Sequence, residues 1–447
     1  MSTHKTPIQL IGLALFGIAI VLFTYMLNID DFQLAPQMIT DNLDQPWHQE
    51  ALRAEAAEIG FYERKYATTF GFQEGLNELF AGAKTRIDNR IQNEGVPEGK
   101  EKWDVELADW VLPSKRFALT SAAQLGPVTN NPLLWLGLTI GLAVLGGLLY
   151  ILPHLREQPG IQHNHIYHSS QTRGLQIGWR TFFLGLTAIG IVLYGLFYME
   201  YKWFWPAVTV GIAAVIIALV FFVEGSAKRP NPRDAGPPHF SAYLGIFTGI
   251  YLIGFYVLLY WAPQHITAWV KMVDPVSRAL SGNGASQWFL YGFMYTLIIL
   301  VMGVRMLVKY RHNKYQLLRT GSVMFFQTSF AFLIPEILVA LNKPWYDFKN
   351  IWPLDYDFFF GWQLDQFQSA GAVGLFMLVW GVALIIIGVP LMVHFLGKRW
   401  YCSWVCGCGG LAETLGDPFR QLSDKSLRAW KFERYIIHGV LVAAIVM

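Results

Sequence analysis

Residues 370–395 read AGAVGLFMLVWGVALIIIGVPLMVHF, and residues 399–411 read Arg-Trp-Tyr-Cys-Ser-Trp-Val-Cys-Gly-Cys-Gly-Gly-Leu. The first stretch is an apolar run long enough for a helix to cross the roughly 30 Å of bilayer hydrocarbon. The second holds all three cysteines of the chain, Cys402, Cys406 and Cys408. An apolar helix followed at once by clustered thiols in a basic loop sets two expectations, a membrane fold and a metal-binding turn. Soft thiolates at this density suit an iron–sulfur cluster or zinc. A chance grouping of small residues beneath a membrane helix is the plain alternative.

Composition agrees with the first expectation. The chain has 447 residues, 54% hydrophobic, 15% aromatic and 15% charged, with mean hydropathy +0.35. Soluble domains carry roughly 25% charged residues. No long basic tract is interleaved with aromatics, so nucleic acid is not an expected partner. Three cysteines do not make a disulfide framework.

Further apolar runs occur at 8–27, 132–152, 179–198, 204–223, 242–261, 288–308, 321–341 and 434–447. The first is too long, and lacks the small residues before a cut, to be a cleavable signal peptide. Trp and Tyr flank many of the runs (Trp135, Tyr150, Trp179, Tyr198, Trp261, Trp288) as interfacial aromatics do. The sequence therefore predicts an all-α, polytopic membrane protein of about nine helices. Its segments are a first membrane helix (1–28), a helical insert (29–131), a seven-helix bundle (132–396), a cysteine loop (397–434) and the start of a ninth helix (435–447). The thirteen residues from Tyr435 to Met447 span about 20 Å as a helix, so the sequence is expected to be part of a longer protein.

Loop charge sets the predicted orientation. Lys5, Arg156 and Arg173, Lys228, Arg229 and Arg233, Lys309, Arg311, Lys314 and Arg319, and seven Lys or Arg in 396–434 all fall on one side under strict alternation. By the positive-inside rule that side is cytoplasmic. The insert, with 17 acidic and 10 basic residues between Asp30 and Arg116, and the loop carrying Asp347, Asp355, Asp357 and Asp365 then lie outside. The insert shows apolar residues at helical spacing, among them Leu52, Phe61, Phe70, Phe72, Leu76, Phe80 and Ile87, with a turn at Gly95-Val-Pro-Glu-Gly99. It has one histidine, His48, and no cysteine, so a packing or docking role is expected of it.

Within the cysteine loop, Cys402 and Cys406 are four apart and would share a face on a helical turn. Gly407, Gly409 and Gly410 let the backbone wrap tightly around an inorganic centre. A [4Fe–4S] cluster takes four thiolates and this chain offers three, so the fourth ligand would come from further sequence, a partner chain or a non-cysteine group. Lys398, Arg399 and Arg420 would offset cluster charge, and Trp400, Tyr401 and Trp404 would shield it from water. Closed zinc sites more often use ligand pairs on separated knuckles. The spacing misses the radical-enzyme pattern by one residue.

Gly-Lys-Arg-Trp-Tyr-Cys-Ser-Trp-Val-Cys at a helix end, followed by Gly-rich residues, Leu411, Glu413 and a basic stretch, resembles the polytopic membrane ferredoxins. These include the membrane ferredoxin subunits of periplasmic nitrate reductase systems, the nitrous-oxide-reductase regulators and cytochrome-oxidase accessory proteins. The resemblance covers about 385–447 and maps onto Cys402 and Cys406. Gly407 stands where that family has Pro, Cys408 is additional, and no second motif or ferredoxin domain follows. The resemblance implies electron transfer through a 4Fe–4S centre in a bacterial inner membrane, among redox partner proteins, by a subunit rather than a self-contained enzyme. An assembly or regulatory factor for a metalloenzyme or oxidase, and a transporter-like bundle with a metal-binding loop, are the alternatives.

Three further groups are candidates. His163, His165 and His168 have spacing suited to a shared metal, although a solvated polar loop is the preferred reading because no carboxylate or cysteine adjoins them. His154, His394 and His438 lie near helix ends, where haem ligation competes with ordinary interfacial placement. Glu336, after Pro335 in an apolar run, is a candidate to take a proton from a quinol or to pair with Arg305 of the preceding helix; a snorkelling or structural role is the alternative.

Overall fold

Among the described residues helices make up almost all regular structure, and one short β pair ties the ends of the insert together. The computed structural model describes residues 7–97, 102–109, 111–153, 240–350, 355–397, 399–416 and 427–446. Contacts divide the chain into two units, Met1–Ile161 with Val257–Leu415, and Gln162–Tyr256 with Gly416–Met447. The expected helices at 179–198 and 204–223, and His154, His163, His165 and His168, lie outside the described residues.

In the first unit, α1 (Pro7–Tyr25) leads into the insert. There α2 (Pro46–Glu58), α3 (Thr69–Glu94) and α4 (Leu112–Ala123) pack around a shared core. Thr68 caps α3 by accepting from the Gly71 amide at 3.2 Å, and Gly95 ends it with φ +78°. Leu52, Phe61, Phe72, Leu76, Phe80 and Ile87 are buried as their spacing predicts. Phe70 is the exception, 44% exposed and stacked beside His265 at 4.9 Å. His48 is buried with Nε2 2.9 Å from the Val105 carbonyl, a structural contact. Strands β1 (Asp31–Phe32) and β2 (Gln124–Leu125) pair antiparallel where the insert begins and ends. The buried carboxylate of Asp30 clamps that neck, accepting from the Gln124 side chain at 2.7 Å, the Val128 and Thr129 amides, and the Thr129 hydroxyl.

Beyond the insert come α5 (Pro132–Ile151), α6 (Phe240–Trp261, shared between the units) and α7 (Thr267–Ser281). The long helices α8 (Gln287–Lys309), α9 (Lys314–Ala340) and α11 (Ala372–Leu396) follow, with the shorter α10 (Gly361–Ser369) between the last two. Among the described residues five helices are long and apolar enough to cross a membrane: that beginning at Pro7, α5, α8, α9 and α11. Their outer faces stay apolar. On α11, Leu375, Phe376, Val379, Ile386 and Ile387 are 55–66% exposed. Water would penalise such a surface and lipid would not, which is consistent with a multi-pass membrane protein. Helices α1 and α5 meet backbone to backbone, since a β-carbon at Gly12 would stand 2.6 Å from the Gly146 carbonyl oxygen, and the reverse holds. Small residues at such crossings let dispersion contacts replace a hydrophobic drive that lipid does not supply. Helix α7 is fixed to the end of α1 by Trp269, whose indole donates to the Phe23 carbonyl at 2.6 Å and whose ring stacks on Phe23.

Helix α9 begins seven residues before the apolar run, because the Asn313 side chain caps the Tyr315 and Gln316 amides. It is π-helical over Phe326–Leu333, as α11 is over Leu384–Gly388 and α5 over Gly137–Gly141. Helices α8 and α9 run antiparallel. Gly303 lies against Met324 and Gly292 against Phe332. Arg305 therefore stands near one end of the pair and Glu336 near the other, about 20 Å apart along the axes at the α-helical rise. The expected Arg305–Glu336 pairing does not form; Glu336 is hydrogen-bonded to Trp345 instead.

Candidate functional site

Gly397, at φ +85°, ends α11 and turns the chain, and the cysteine region then folds as two short helices, α12 (Trp400–Trp404) and α13 (Gly407–Thr414). Helical spacing predicts Cys402 and Cys406 on one face. The helix instead breaks at Val405 (φ −126°, ψ −46°) and Cys406 (φ −67°, ψ 129°), so Cys406 becomes the residue that caps α13. The amide of Cys406 turns back to the Tyr401 carbonyl at 2.7 Å, and its own carbonyl accepts from Gly410 at 2.9 Å.

The pair of helices is a re-entrant hairpin laid against α8 and α9. Ser322 donates to the Trp404 carbonyl at 2.9 Å, Trp404 packs edge-on against Tyr315, and Arg319 is ion-paired with Glu413. Glycine is needed at three points. A β-carbon at Gly407 would overlap Tyr295 and Gln327, one at Gly410 would overlap Val323, and one at Gly409 would overlap the Cys402 carbonyl. The apex at Cys406 and Gly407 sits beside Gln327 and Tyr295, each thirteen or fourteen residues from the nearby ends of α9 and α8. At 1.5 Å per residue the apex is about 20 Å up the bundle. The sequence predicts a loop at the helix ends; the missing β-carbons let it enter between the helices.

A second segment reaches the same point from the opposite end. Residues 342–350 turn back from the end of α9, starting at Asn342 with φ +55°. The Trp380 indole holds this segment by donating to the Phe348 carbonyl at 3.0 Å, and the Tyr401 hydroxyl donates to Asn350 at 3.2 Å. Lys349 and Asp347 form a buried ion pair at 2.7 Å, with side chains 12% and 8% exposed. Burial raises the Asp347 carboxyl above its usual range against the pull of Lys349.

The structure brings two of the three thiols together. Cys406 and Cys408 are hydrogen-bonded to each other, while Cys402 stands apart on α12; Cys402 and Cys408 are exposed and Cys406 is half-buried. Cys408 is depressed to about 5, first by the hydrogen bond from Cys406, then by the Tyr295 hydroxyl and the charge of Lys349, against the effect of burial. Cys406, the donor of the pair, is raised correspondingly. Cys408 in the first turn of α13 also meets the positive end of that helix. Among the described residues no three His, Cys, Asp or Glu side chains converge closely enough to hold a metal ion. The donor chemistry nevertheless fits a thiolate-ligated cluster: a thiol pair with one readily lost proton, a helix N-terminus, a nearby ammonium and aromatic cover. Cys406 and Cys408 would hold such a cluster, with Cys402 swinging in from the adjoining helix.

Tyr295, Lys349 and Gln327 were not singled out by the sequence, because no short-range pattern links them to the cysteines. Lys398 and Arg420, expected to offset charge, lie outside the described residues. Among the described residues Lys349, from the opposite loop, supplies a positive charge that acts on Cys408. His394 and His438 are both exposed, His394 lying edge-on to Phe395.

A cavity of about 840 Å³ opens onto the thiol pair, and Glu336, Asp347, Lys349 and Tyr401 also line it. Comparison with curated proteins and with solved structures gives no match. A family model described as a 4Fe–4S binding domain matches residues 374–426, which contain most of α11, the hairpin and all three cysteines. The match supports a ferredoxin-type 4Fe–4S region in this part of the chain, and with it an iron–sulfur cluster.

Proposed function

We propose that the protein is a membrane electron-transfer subunit carrying a 4Fe–4S-type cluster on Cys402, Cys406 and Cys408, with a fourth ligand supplied from outside these three. The observation that carries the reading is the joined pair Cys406 and Cys408 at the apex of a hairpin within the matched 4Fe–4S region. A thiolate cluster there would pass single electrons. The chain's own residues would set its surroundings, Lys349 and the α13 N-terminus favouring negative charge, Tyr295 donating to Cys408 and Tyr401 holding the adjoining loop. The distribution of Lys and Arg supports a cytoplasmic N-terminus and cysteine loop and an external 29–131 insert, and the resemblance to the membrane ferredoxins implies a bacterial inner membrane. The membrane ferredoxins named above remain the family this proposal points to. Redox proteins are the expected partners.

The exposure of Cys402 and Cys408 favours a second reading, in which a cluster or metal is sensed or handed on by an assembly factor. Anaerobic purification of the full chain with iron and acid-labile sulfide assays tests the first. About four of each per chain, retained through gel filtration and lost in the Cys402→Ala/Cys406→Ala variant, is the expected outcome. Stoichiometric zinc without sulfide contradicts it, and iron shed to a chelator within minutes favours the second reading.

A further inference from the structure

The cavity on the thiol pair has its far end at the opposite side of the bundle from the turn that carries the cysteines. Its floor is Cys406, Cys408, Tyr295 and Gln327, about 20 Å from the Lys309 and Lys314 ends of α8 and α9. Its other lining residues climb α8 and α9 to Glu336 and Val339, and end at Asn283, Gly284, Ser286 and Trp288, all exposed. Trp345, 53% exposed, stands at the same end. The hairpin closes the near end by packing Gly410 and Glu413 against Val323 and Arg319.

We infer that the thiol pair is reached through this cavity from the α7–α8 end, and that the cavity binds a planar ring ligand with polar edges. The volume is within the roughly 300–1,000 Å³ of small-molecule sites. Trp288, Tyr291, Phe332 and Trp345 offer ring faces, while Ser277, Glu336 and Asn350 offer hydrogen-bonding groups along one route. A ligand seated there would lie against the thiolates proposed to hold the cluster, so the exchange partner of the cluster would arrive from the side opposite to its own loop. The role as an exchange route rests on the iron–sulfur reading; the access route itself does not.

The test uses the full chain in sealed membrane vesicles with a single added reporter thiol. Ala331→Cys, halfway along the cavity, is compared with Asn283→Cys at the mouth and His312→Cys at the other end, the parent giving the background. The probe is impermeant trimethylammonium-ethyl methanethiosulfonate. Ala331→Cys should react from the side that labels Asn283→Cys, at least ten-fold faster than from the side that labels His312→Cys. Trp345→Ala should speed that reaction several-fold, and 1-naphthol should slow it while its saturated decahydro analogue does not. Labelling from the His312 side, or from neither side in both Ala331→Cys and the second reporter Val339→Cys, would overturn the route. Equal protection by the two alcohols, or none, would overturn the ring-ligand assignment. Iron assayed in the same vesicles separates the two readings: absent iron with the expected labelling removes the cluster and leaves the route.

Discussion

The insert and the cysteine hairpin are stabilised in opposite ways. The insert buries large side chains, Phe61, Phe72, Leu76 and Leu79 among them, in a core made from its own helices. The hairpin buries glycines, and its shape depends on residues 82–113 positions away: Ser322 holding Trp404, Arg319 holding Glu413, Tyr295 reaching Cys408. A self-contained core tolerates changes elsewhere. A turn held by distant partners is sensitive to them.

The sharpest way to break that comparison is to damage one region and read the other. Phe72→Ala empties the centre of the insert and should cost about 3–5 kcal/mol there, seen as lost protection from hydrogen exchange across α2–α4. Iron content should stay at the parent level; a matching loss of iron would show that the two regions are not independent.

Next in size is a pH effect confined to the insert side. His265 packs half-buried against the insert with its Nδ1 inside, and is depressed to about 4, by desolvation first and the Arg116 charge second. The unfolded chain binds a proton below about 6.5 while the folded chain resists until about 4. Stability should therefore be fully present above pH 6.5 and fall as pH drops from 6.5 to 4, by up to about 3 kcal/mol. Denaturant melts of the parent and His265→Gln between pH 4 and 7.5 check it, with the slope flattened in the variant.

Gly409→Ala forces a methyl into the Cys402 carbonyl and should cost about 1–3 kcal/mol, localised to the hairpin. Iron loading should fall while the insert's exchange pattern is unchanged. The smallest effect is electrostatic. In metal-free protein, Lys349→Gln removes a charge that favours the Cys408 thiolate, so alkylation of Cys408 should shift to higher pH than in the parent, read residue by residue by mass spectrometry.

How much of this was readable in the sequence follows the same division. Apolar runs gave helix ends within a few residues, 288–308 for Gln287–Lys309 and 370–395 for Ala372–Leu396, because hydrophobic length decides both. The run at 321–341 missed the start of α9, where Lys314 and Arg319 read as loop. Capping by Asn313 and pairing with Glu413 make that charged turn helical. The insert's helical spacing identified its core apart from Phe70. At the site, the residue types and the glycines were legible and the pairing was not. Spacing joined Cys402 to Cys406, while two backbone torsions at Val405 and Cys406 join Cys406 to Cys408. Tyr295 and Lys349 carry no local signal, since only the tertiary fold brings them to the thiols.

The central claim is that a redox cluster sits on this hairpin. Electron paramagnetic resonance of the anaerobically purified, dithionite-reduced protein tests it most directly, with Cys406→Ser and Cys408→Ser read beside the parent. The account predicts a reduced-cluster signal in the parent that is lost or reshaped in both variants. A parent with no iron signal after anaerobic reconstitution, or a signal identical in all three proteins, would contradict it.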